Sequence, residues 1–299
     1  GPIGGDTQRA VRTIPTPPPI LEHHVRLPAG HELSVRQRAG EGRPFLLVHG
    51  LSSNARLWDG VSAALAAAGH RVVAVDQRGH GRSESADGDM SYDAVAADLA
   101  ALCGVLELEQ PVLVGQSWGG NVVLETAARH TDAFSGVAAV DGGFIALGEA
   151  HPTPEEAWAA LRPPALADRA PGEVRQLIAR SVEGWPPGAL DAQMANLHQH
   201  ADGRVEPRLS LDAHEAIVRA MWATDPFARM AEVNVPALLL PVNGGEGEWA
   251  ARKAAGVDEA LRRLPDGRAI WLDGAHDVHL QRPDVVADHL LALGHRVEQ

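Results

Sequence analysis

Apolar runs alternate with amphipathic runs along most of the chain. Segments such as Phe45–Val48 and Val137–Val140 are continuously apolar and stop at a His-Gly or Asp-Gly pair, as buried strands of a parallel sheet do. Between them, Ser91–Leu106 begins with a helix-capping serine and carries apolar residues on one helical face. The alternation predicts an α/β fold, a mostly parallel central sheet flanked by helices.

The predicted core elements lie on both sides of a long insertion. Strands are predicted at His23–Leu27, Glu32–Arg38, Phe45–Val48, Arg71–Val75, Pro111–Val114, Val137–Val140, Pro236–Val242 and Arg268–Leu272, the first two forming a hairpin. Helices are predicted at Arg56–Ala68, Ser91–Leu106, Trp118–His130, Glu246–Leu264 and Pro283–Leu293.

The alternation stops between residues 144 and 225. This segment shows helical patterns and no buried strand, with helices predicted at Pro154–Leu161, Gly172–Glu183, Ala189–His198 and Leu211–Ala223. Such an insertion between two strands indicates a helical cap over the sheet edge. We therefore expect a flexible N-terminal extension (residues 1–22), a first core part (23–143), the cap (144–225) and a second core part (226–299).

Charge and cysteine content narrow the protein class. The 299 residues carry 26 Lys+Arg against 39 Asp+Glu, a formal net charge of −13, which argues against a nucleic-acid-binding protein. No run is apolar for long enough to span a membrane, and no signal-peptide core is visible. The lone cysteine, Cys103, forms no intramolecular disulfide, so we expect a cytoplasmic protein. We read the lone lysine, Lys253, as coding bias.

The strongest chemical motif follows the predicted strand at residues 111–114. Gly115-Gln116-Ser117-Trp118-Gly119 has the G-x-S-x-G form and sits between a strand and a helix, the context of a nucleophile elbow. The turn holds its serine in a strained conformation, so the residues two before and two after it must be small. This pattern indicates that Ser117 is a nucleophile.

A serine nucleophile needs a histidine base that a carboxylate orients. His276 follows the last predicted strand, where a loop from the carboxyl edge of the sheet can return toward Ser117. His279 is the competing candidate. A metal site built on this histidine pair is disfavoured, because no cysteine or carboxylate with ligand spacing accompanies it. We expect no metal and, without a dinucleotide or P-loop motif, no cofactor.

Together these segments resemble the α/β-hydrolase superfamily. The resemblance rests on His49-Gly50, on the run from Asp76 to Ser83, on the elbow at Ser117 and on Gly274-Ala275-His276. It implies an oxyanion hole formed by the backbone N–H groups of Leu51 and Trp118. It also implies that His49 and His80 are structural.

The triad acid departs from the common family pattern. The family usually places an aspartate after the strand that follows the cap, but the loop after that strand here contains Glu246 and no aspartate. Asp141 instead ends the strand next to the elbow strand, a position that some lipases and dehalogenases of the family use. Asp141 is the preferred acid, and Glu246 is the alternative.

Three tryptophans are candidates for the walls of a substrate pocket. Trp118 adjoins the nucleophile, whereas Trp185 and Trp222 lie in the cap. Packing within the cap explains the last two equally well. The His198-Gln199-His200 run is interpreted as the exposed end of a helix rather than as a ligand set.

The combined prediction is a serine hydrolase that acts on a carboxylic ester or lactone of a moderately large apolar molecule. Ser117 attacks, His276 transfers the proton and Asp141 orients the imidazole. The alternatives are a C–C bond hydrolase, a cofactor-free perhydrolase, and a cyclase or ligand-binding protein that reuses the pocket. The expected partner is this small molecule, with the protein a monomer or homodimer.

Overall fold

Strands from both core parts join in one sheet. A computed structural model describes residues 15–85 and 88–299. Its strands are β1 (Leu21–Arg26), β2 (Glu32–Arg38), β3 (Gly42–Val48), β4 (His70–Val75), β5 (Val112–Gln116), β6 (Gly136–Val140), β7 (Leu197–Gln199), β8 (Val205–Pro207), β9 (Ala237–Leu240) and β10 (Gly267–Ala269). Within the described ranges, eight strands pair in the order β1-β2-β4-β3-β5-β6-β9-β10.

The sheet is parallel except around β2, which runs antiparallel to β1 and β4. The predicted mostly parallel central sheet flanked by helices is confirmed. The helices are α1 (Asp59–Ala67), α2 (Tyr92–Leu106), α3 (Trp118–Arg129), α4 (Leu147–Ala150), α5 (Pro154–Leu161), α6 (Glu173–Ser181), α7 (Ala189–Met194), α8 (Leu211–Ala223), α9 (Glu248–Arg263), α10 (Val278–Gln281) and α11 (Pro283–Val297).

Alternating side chains of β3 show how the helices cover both faces of the sheet. Phe45 and Leu47 pack with α1 and α11, whereas Leu46 and Val48 pack with α2 and α3. All four side chains are fully buried, which is why the strand reads as a continuous apolar run. The core therefore consists of two layers, one on each face of the sheet.

The N-terminal extension is only partly described. Residues 1–14 of the predicted flexible segment lie outside the described residues. The carbonyl of Pro18 accepts a hydrogen bond from Arg38 at 2.7 Å, and β1 begins at Leu21, within the predicted extension.

The segment inserted after β6 contains α4 to α8 and one hairpin that was not predicted. The helix predicted over Ala189–His198 ends at Met194, and β7 pairs with β8 in an antiparallel hairpin. The placement of His198–His200 at a helix end is therefore wrong, and the segment contains two strands that are mostly exposed. Each strand is three residues long, too short for a period of two to be recognised.

Three hydrogen bonds join α7 and the residues just after it to loops of the core. Asn54 Nδ2 donates to the carbonyl of Ala192 at 2.9 Å and to Asn196 Oδ1 at 2.7 Å. Gln193 Nε2 donates to Asp277 Oδ2 at 2.8 Å. The inserted segment is thus bonded to the loop after β3 and to the loop that carries His276. Among the described residues, no helix has both the length and the apolar character needed to cross a membrane.

Candidate active site

Ser117 lies at the sharp turn between β5 and α3. Its backbone has φ 56° and ψ −126°, a conformation that L-residues rarely adopt. A Cβ at Gly115 would lie 2.0 Å from the Gly119 carbonyl oxygen, and one at Gly142 would lie 2.0 Å from that of Ser117. The turn is therefore possible only because Gly115 and Gly142 have no side chain. It places the serine at the carboxyl edge of the sheet.

His276 reaches the serine from the loop before α10. Its Nε2 lies 2.9 Å from Ser117 Oγ. Gln116, next to the serine, donates from Nε2 to the His276 carbonyl at 3.0 Å. The Ala275 N–H donates to Gln281 Oε1 at 2.7 Å. These bonds fix the loop on both sides of the imidazole.

Asp141 directly follows β6 and contacts the other ring nitrogen of His276. Its Oδ2 lies 2.6 Å from His276 Nδ1, and its Oδ1 accepts the Val242 N–H at 2.8 Å. The geometry suits a tautomer in which Nδ1–H donates to Asp141 and Nε2 accepts the Ser117 proton. Glu246, the alternative acid, lies exposed in the loop after β9 and is not brought to His276.

Lys253 is a site residue that the sequence analysis missed. From α9, its Nζ donates to Asp141 Oδ1 at 2.9 Å and to the Val242 carbonyl at 3.0 Å. The side chains of Lys253 and Asp141 are 9% and 3% exposed. The single lysine of the chain therefore places a buried positive charge on the carboxylate. The one signal in the sequence is that Lys253 is the single lysine of the chain, and coding bias does not account for its position on Asp141.

The pKa values of the acid and the base move in opposite directions. Burial favours the neutral form of Asp141, but hydrogen bonds from His276, the Val242 N–H and Lys253 outweigh it and hold its pKa below the ordinary value. Desolvation disfavours the His276 imidazolium, yet the hydrogen bond and charge of Asp141 outweigh this and raise its pKa. The Lys253 charge acts against that rise. Asp141 is thus an anion that stabilises a protonated His276.

The backbone N–H groups expected to form the oxyanion hole belong to Leu51 and Trp118. Within the part of the chain that the structure describes, neither N–H donates to a protein acceptor. The next N–H along, that of Ser52, donates to His80 Nε2 at 3.1 Å. This leaves the Leu51 and Trp118 groups free to bind a ligand oxygen.

Buried histidines support the loops around the site. His49 Nε2 accepts the Gln77 N–H at 2.9 Å, and burial lowers the pKa of His49 to about 4 and that of His80 to about 3. Both are therefore neutral in the folded protein near pH 7. His279 is fully buried against Trp58, with ring centroids 4.5 Å apart, so it does not form a pair of ligands with His276.

The three tryptophans expected to line a pocket have different surroundings. Trp118 is 2% exposed and stacks on His80 with centroids 5.6 Å apart. Trp185 packs in a cluster with Leu57 and Leu280, which flank the two loops of the site. Trp222 donates from Nε1 to the His151 carbonyl at 2.9 Å. Of the three, Trp185 packs against a cluster that includes residues from outside the inserted segment.

The fold of the chain is matched by comparison with known proteins. The sequence profile of the alpha/beta hydrolase fold matches residues 43–201. The chain belongs to the α/β-hydrolase fold family. This α/β hydrolase is 32% identical to epoxide hydrolase A of Mycobacterium tuberculosis over 193 residues, 59% of each chain. It is 42% identical to a non-heme haloperoxidase of Rhodococcus erythropolis over 91 residues, 30% of this chain and 33% of that protein.

The first curated relatives are matched over only part of their length. Three uncharacterized mycobacterial proteins align over 38% of their own chains. Solved structures match over almost the whole α/β hydrolase. E-2-(acetamidomethylene)succinate hydrolase covers 92% of this chain and 98% of its own, with a TM-score of 0.76 and 24% identity. The enol-lactonase of Burkholderia xenovorans LB400 covers 91% and 99%, with a TM-score of 0.66 and 23% identity. At these identities the likeness shows the shared fold.

Proposed function

We propose that this α/β hydrolase is a serine hydrolase that cleaves a carboxylic ester or lactone of a moderately large apolar molecule. The proposal is carried by one observation, the continuous chain of short contacts from Ser117 Oγ through His276 to Asp141. Such a chain activates a hydroxyl that is otherwise a poor nucleophile at neutral pH.

The reaction follows from the positions of the proton donors and acceptors. Ser117 Oγ attacks the carbonyl carbon while His276 Nε2 takes its proton, and the Leu51 and Trp118 N–H groups bind the oxyanion. Collapse of the tetrahedral intermediate breaks the bond to the leaving oxygen, and this oxygen receives the proton from His276. Water, deprotonated by His276, then attacks the acyl-serine, the bond to Ser117 Oγ breaks, and Oγ regains the proton from His276 as the acid is released. Each oxyanion donor is typically worth about 2.7–4 kcal/mol in the transition state.

The serine at the elbow favours acyl chemistry over epoxide opening. An epoxide attacked by Ser117 would leave an ether, which has no electrophilic carbonyl for water to attack. An acylated Ser117 is an ester, which His276 can help to hydrolyse. Although one relative is named an epoxide hydrolase, the nucleophile of this chain is therefore suited to esters and lactones. The enol-lactonase among the structural neighbours is consistent with this chemistry.

The apolar cluster around Trp185 favours an apolar substrate. Trp185 packs with Leu57 and Leu280 beside both loops of the site, which makes it the strongest candidate for a pocket wall among the predicted tryptophans. Trp118 adjoins the nucleophile, and Trp222 is held by His151 within the inserted segment. We propose that residues 144–225 act as the cap that selects the acyl group.

Covalent labelling tests the nucleophile without knowledge of the natural substrate. A fluorophosphonate probe is applied to wild type, Ser117→Ala and His276→Ala, followed by mapping of the modified peptide and a screen of aryl esters and lactones. We expect wild type to be labelled at Ser117 and to turn over substrate, and both variants to lose roughly 10⁴–10⁶-fold in rate. Absence of labelling in folded wild type, or turnover that survives Ser117→Ala, would contradict the proposal.

Perhydrolysis is a second candidate, favoured by the similarity to a non-heme haloperoxidase. Hydrogen peroxide in place of water would attack the same acyl-serine and release a peracid. To distinguish hydrolysis from perhydrolysis, the acid and the peracid formed from one ester are both measured over a range of peroxide concentrations. Peracid formation that saturates and requires Ser117 supports this candidate, and release of acid alone eliminates it.

A further inference from the structure

Two histidines and a glutamate meet on the exposed face of the hairpin formed by β7 and β8. His198 lies in β7, and His200 follows two residues later, so both side chains leave the same face. Glu206 lies directly opposite His198 in β8. One ligand atom from each residue lies within 4.8 Å of the others. We propose that this cluster, the hairpin site, binds one divalent transition-metal ion such as Zn²⁺.

The distances suit a tetrahedral ion. Ligand atoms about 2.0–2.2 Å from zinc lie roughly 3.4 Å from one another in that geometry. His200 Nε2 and Glu206 Oε1 are 3.3 Å apart, which matches one edge of the tetrahedron. The rings of His198 and His200 meet edge to face with centroids 4.6 Å apart. Because these side chains are exposed, rotation of His198 brings in the third ligand without moving the backbone.

The hairpin holds the ligands on an anchored backbone. Leu197 and Val205, one from each strand, are buried together with Val174 and Met194. The His200 N–H donates to the Arg204 carbonyl at 2.8 Å and closes the turn. Little backbone freedom therefore remains to be lost when an ion binds, which favours affinity.

The donor set determines which class of cation fits. Two imidazole nitrogens with one carboxylate oxygen suit Zn²⁺, Ni²⁺ or Cu²⁺, whereas Mg²⁺ and Ca²⁺ require oxygen ligands. His200 and Glu206 line a groove of about 960 Å³, so the remaining coordination position is open to water. The nearby Arg204 guanidinium is paired with Asp202 at 2.7 Å, which reduces its repulsion of the ion.

The hairpin site shares no residue with the triad, so its test is independent of the proposed hydrolysis. Isothermal titration with ZnCl₂ compares wild type with His198→Ala/His200→Ala and with Glu206→Gln. His295→Ala, which removes an exposed histidine of α11, is the matched control. His276→Ala removes any contribution of the exposed imidazole near Ser117. Circular dichroism verifies that each variant is folded.

Wild type, His295→Ala and His276→Ala are expected to share one saturable zinc site. Even the loss of an outer-shell partner typically costs about 10–100-fold in metal affinity, so the double histidine variant should bind at least about 100-fold more weakly. Glu206→Gln should lose at least about tenfold, and MgCl₂ should not compete. Equal zinc binding by the double variant overturns the inference. So does equal competition by Mg²⁺, because it would assign the ion to carboxylates elsewhere.

Discussion

Replacement of Lys253 by methionine tests how the site sets the basicity of its own histidine. Lys253 Nζ and His276 Nδ1 contact opposite oxygens of Asp141, at 2.9 and 2.6 Å. The Lys253 ammonium and the His276 imidazolium therefore contact the same buried negative charge. The positive charge of Lys253 lowers the pKa of His276. Without it, the pKa of His276 should rise. His276 must be neutral to accept the Ser117 proton. The rise of the reaction rate with pH should therefore move to higher pH.

The size of the effect follows from the separation of the two charges. They bracket one carboxylate and lie roughly 6–7 Å apart, which gives about 2.5 kcal/mol at an effective dielectric constant of about 20 and about 0.6 kcal/mol in bulk water. His276 is 57% exposed, so screening by water favours the lower half of that range. With about 1.4 kcal/mol per factor of ten, the reaction on the acid side of the limb should slow roughly three- to tenfold.

The assay is the second-order rate of fluorophosphonate labelling at Ser117, measured from about pH 5 to 8, where histidine titrates. Lys253→Arg keeps the positive charge and should retain most of the wild-type profile. Arg252→Met is the matched control, because Arg252 contacts Glu248 and the Glu149 carbonyl rather than Asp141. A profile of folded Lys253→Met that superimposes on wild type would refute the reasoning. An equal shift in Arg252→Met would show that overall charge, not this contact, is responsible.

Three further predictions concern the acid, the base and the scaffold. Asp141→Asn should slow labelling by several orders of magnitude, because an amide no longer fixes the Nδ1–H tautomer of His276. Glu246→Gln, measured beside it, should label at the wild-type rate, and equal losses would contradict the assignment. Wild-type labelling should rise with pH to a plateau, with a midpoint above that of an ordinary histidine, since the hydrogen bond and charge of Asp141 raise the pKa of His276; a flat profile from about pH 5 to 8 would exclude histidine as the base. Gly104→Ala should increase the free energy of unfolding in urea by about 0.5–1 kcal/mol, because Gly104 is an exposed residue of α2 whose added Cβ meets nothing within 4 Å, and a lower urea midpoint would refute it.

Local patterns in the sequence were sufficient to predict the sheet and the sharp turn at Ser117. The strands β3, β5 and β6 are buried on both faces, so each appears as an apolar run bounded by turn residues. The elbow motif is also local, because the glycines two positions to either side of Ser117 leave room for the tight turn. These features depend on the order of neighbouring residues, which the sequence displays directly.

Contacts between distant residues needed the tertiary structure. Asp141 and Glu246 both follow strands at the same sheet edge, and only the packing of the loops shows that Asp141 meets His276. Lys253 is 112 positions from Asp141 and belongs to no motif, so nothing local connects it with the triad. The hairpin of β7 and β8 was missed because its short strands are stabilised by side chains from other elements. Sequence alone determines which residues can form an element and a reactive turn. The tertiary structure decides which of them meet, because only folding brings such distant side chains within hydrogen-bonding distance.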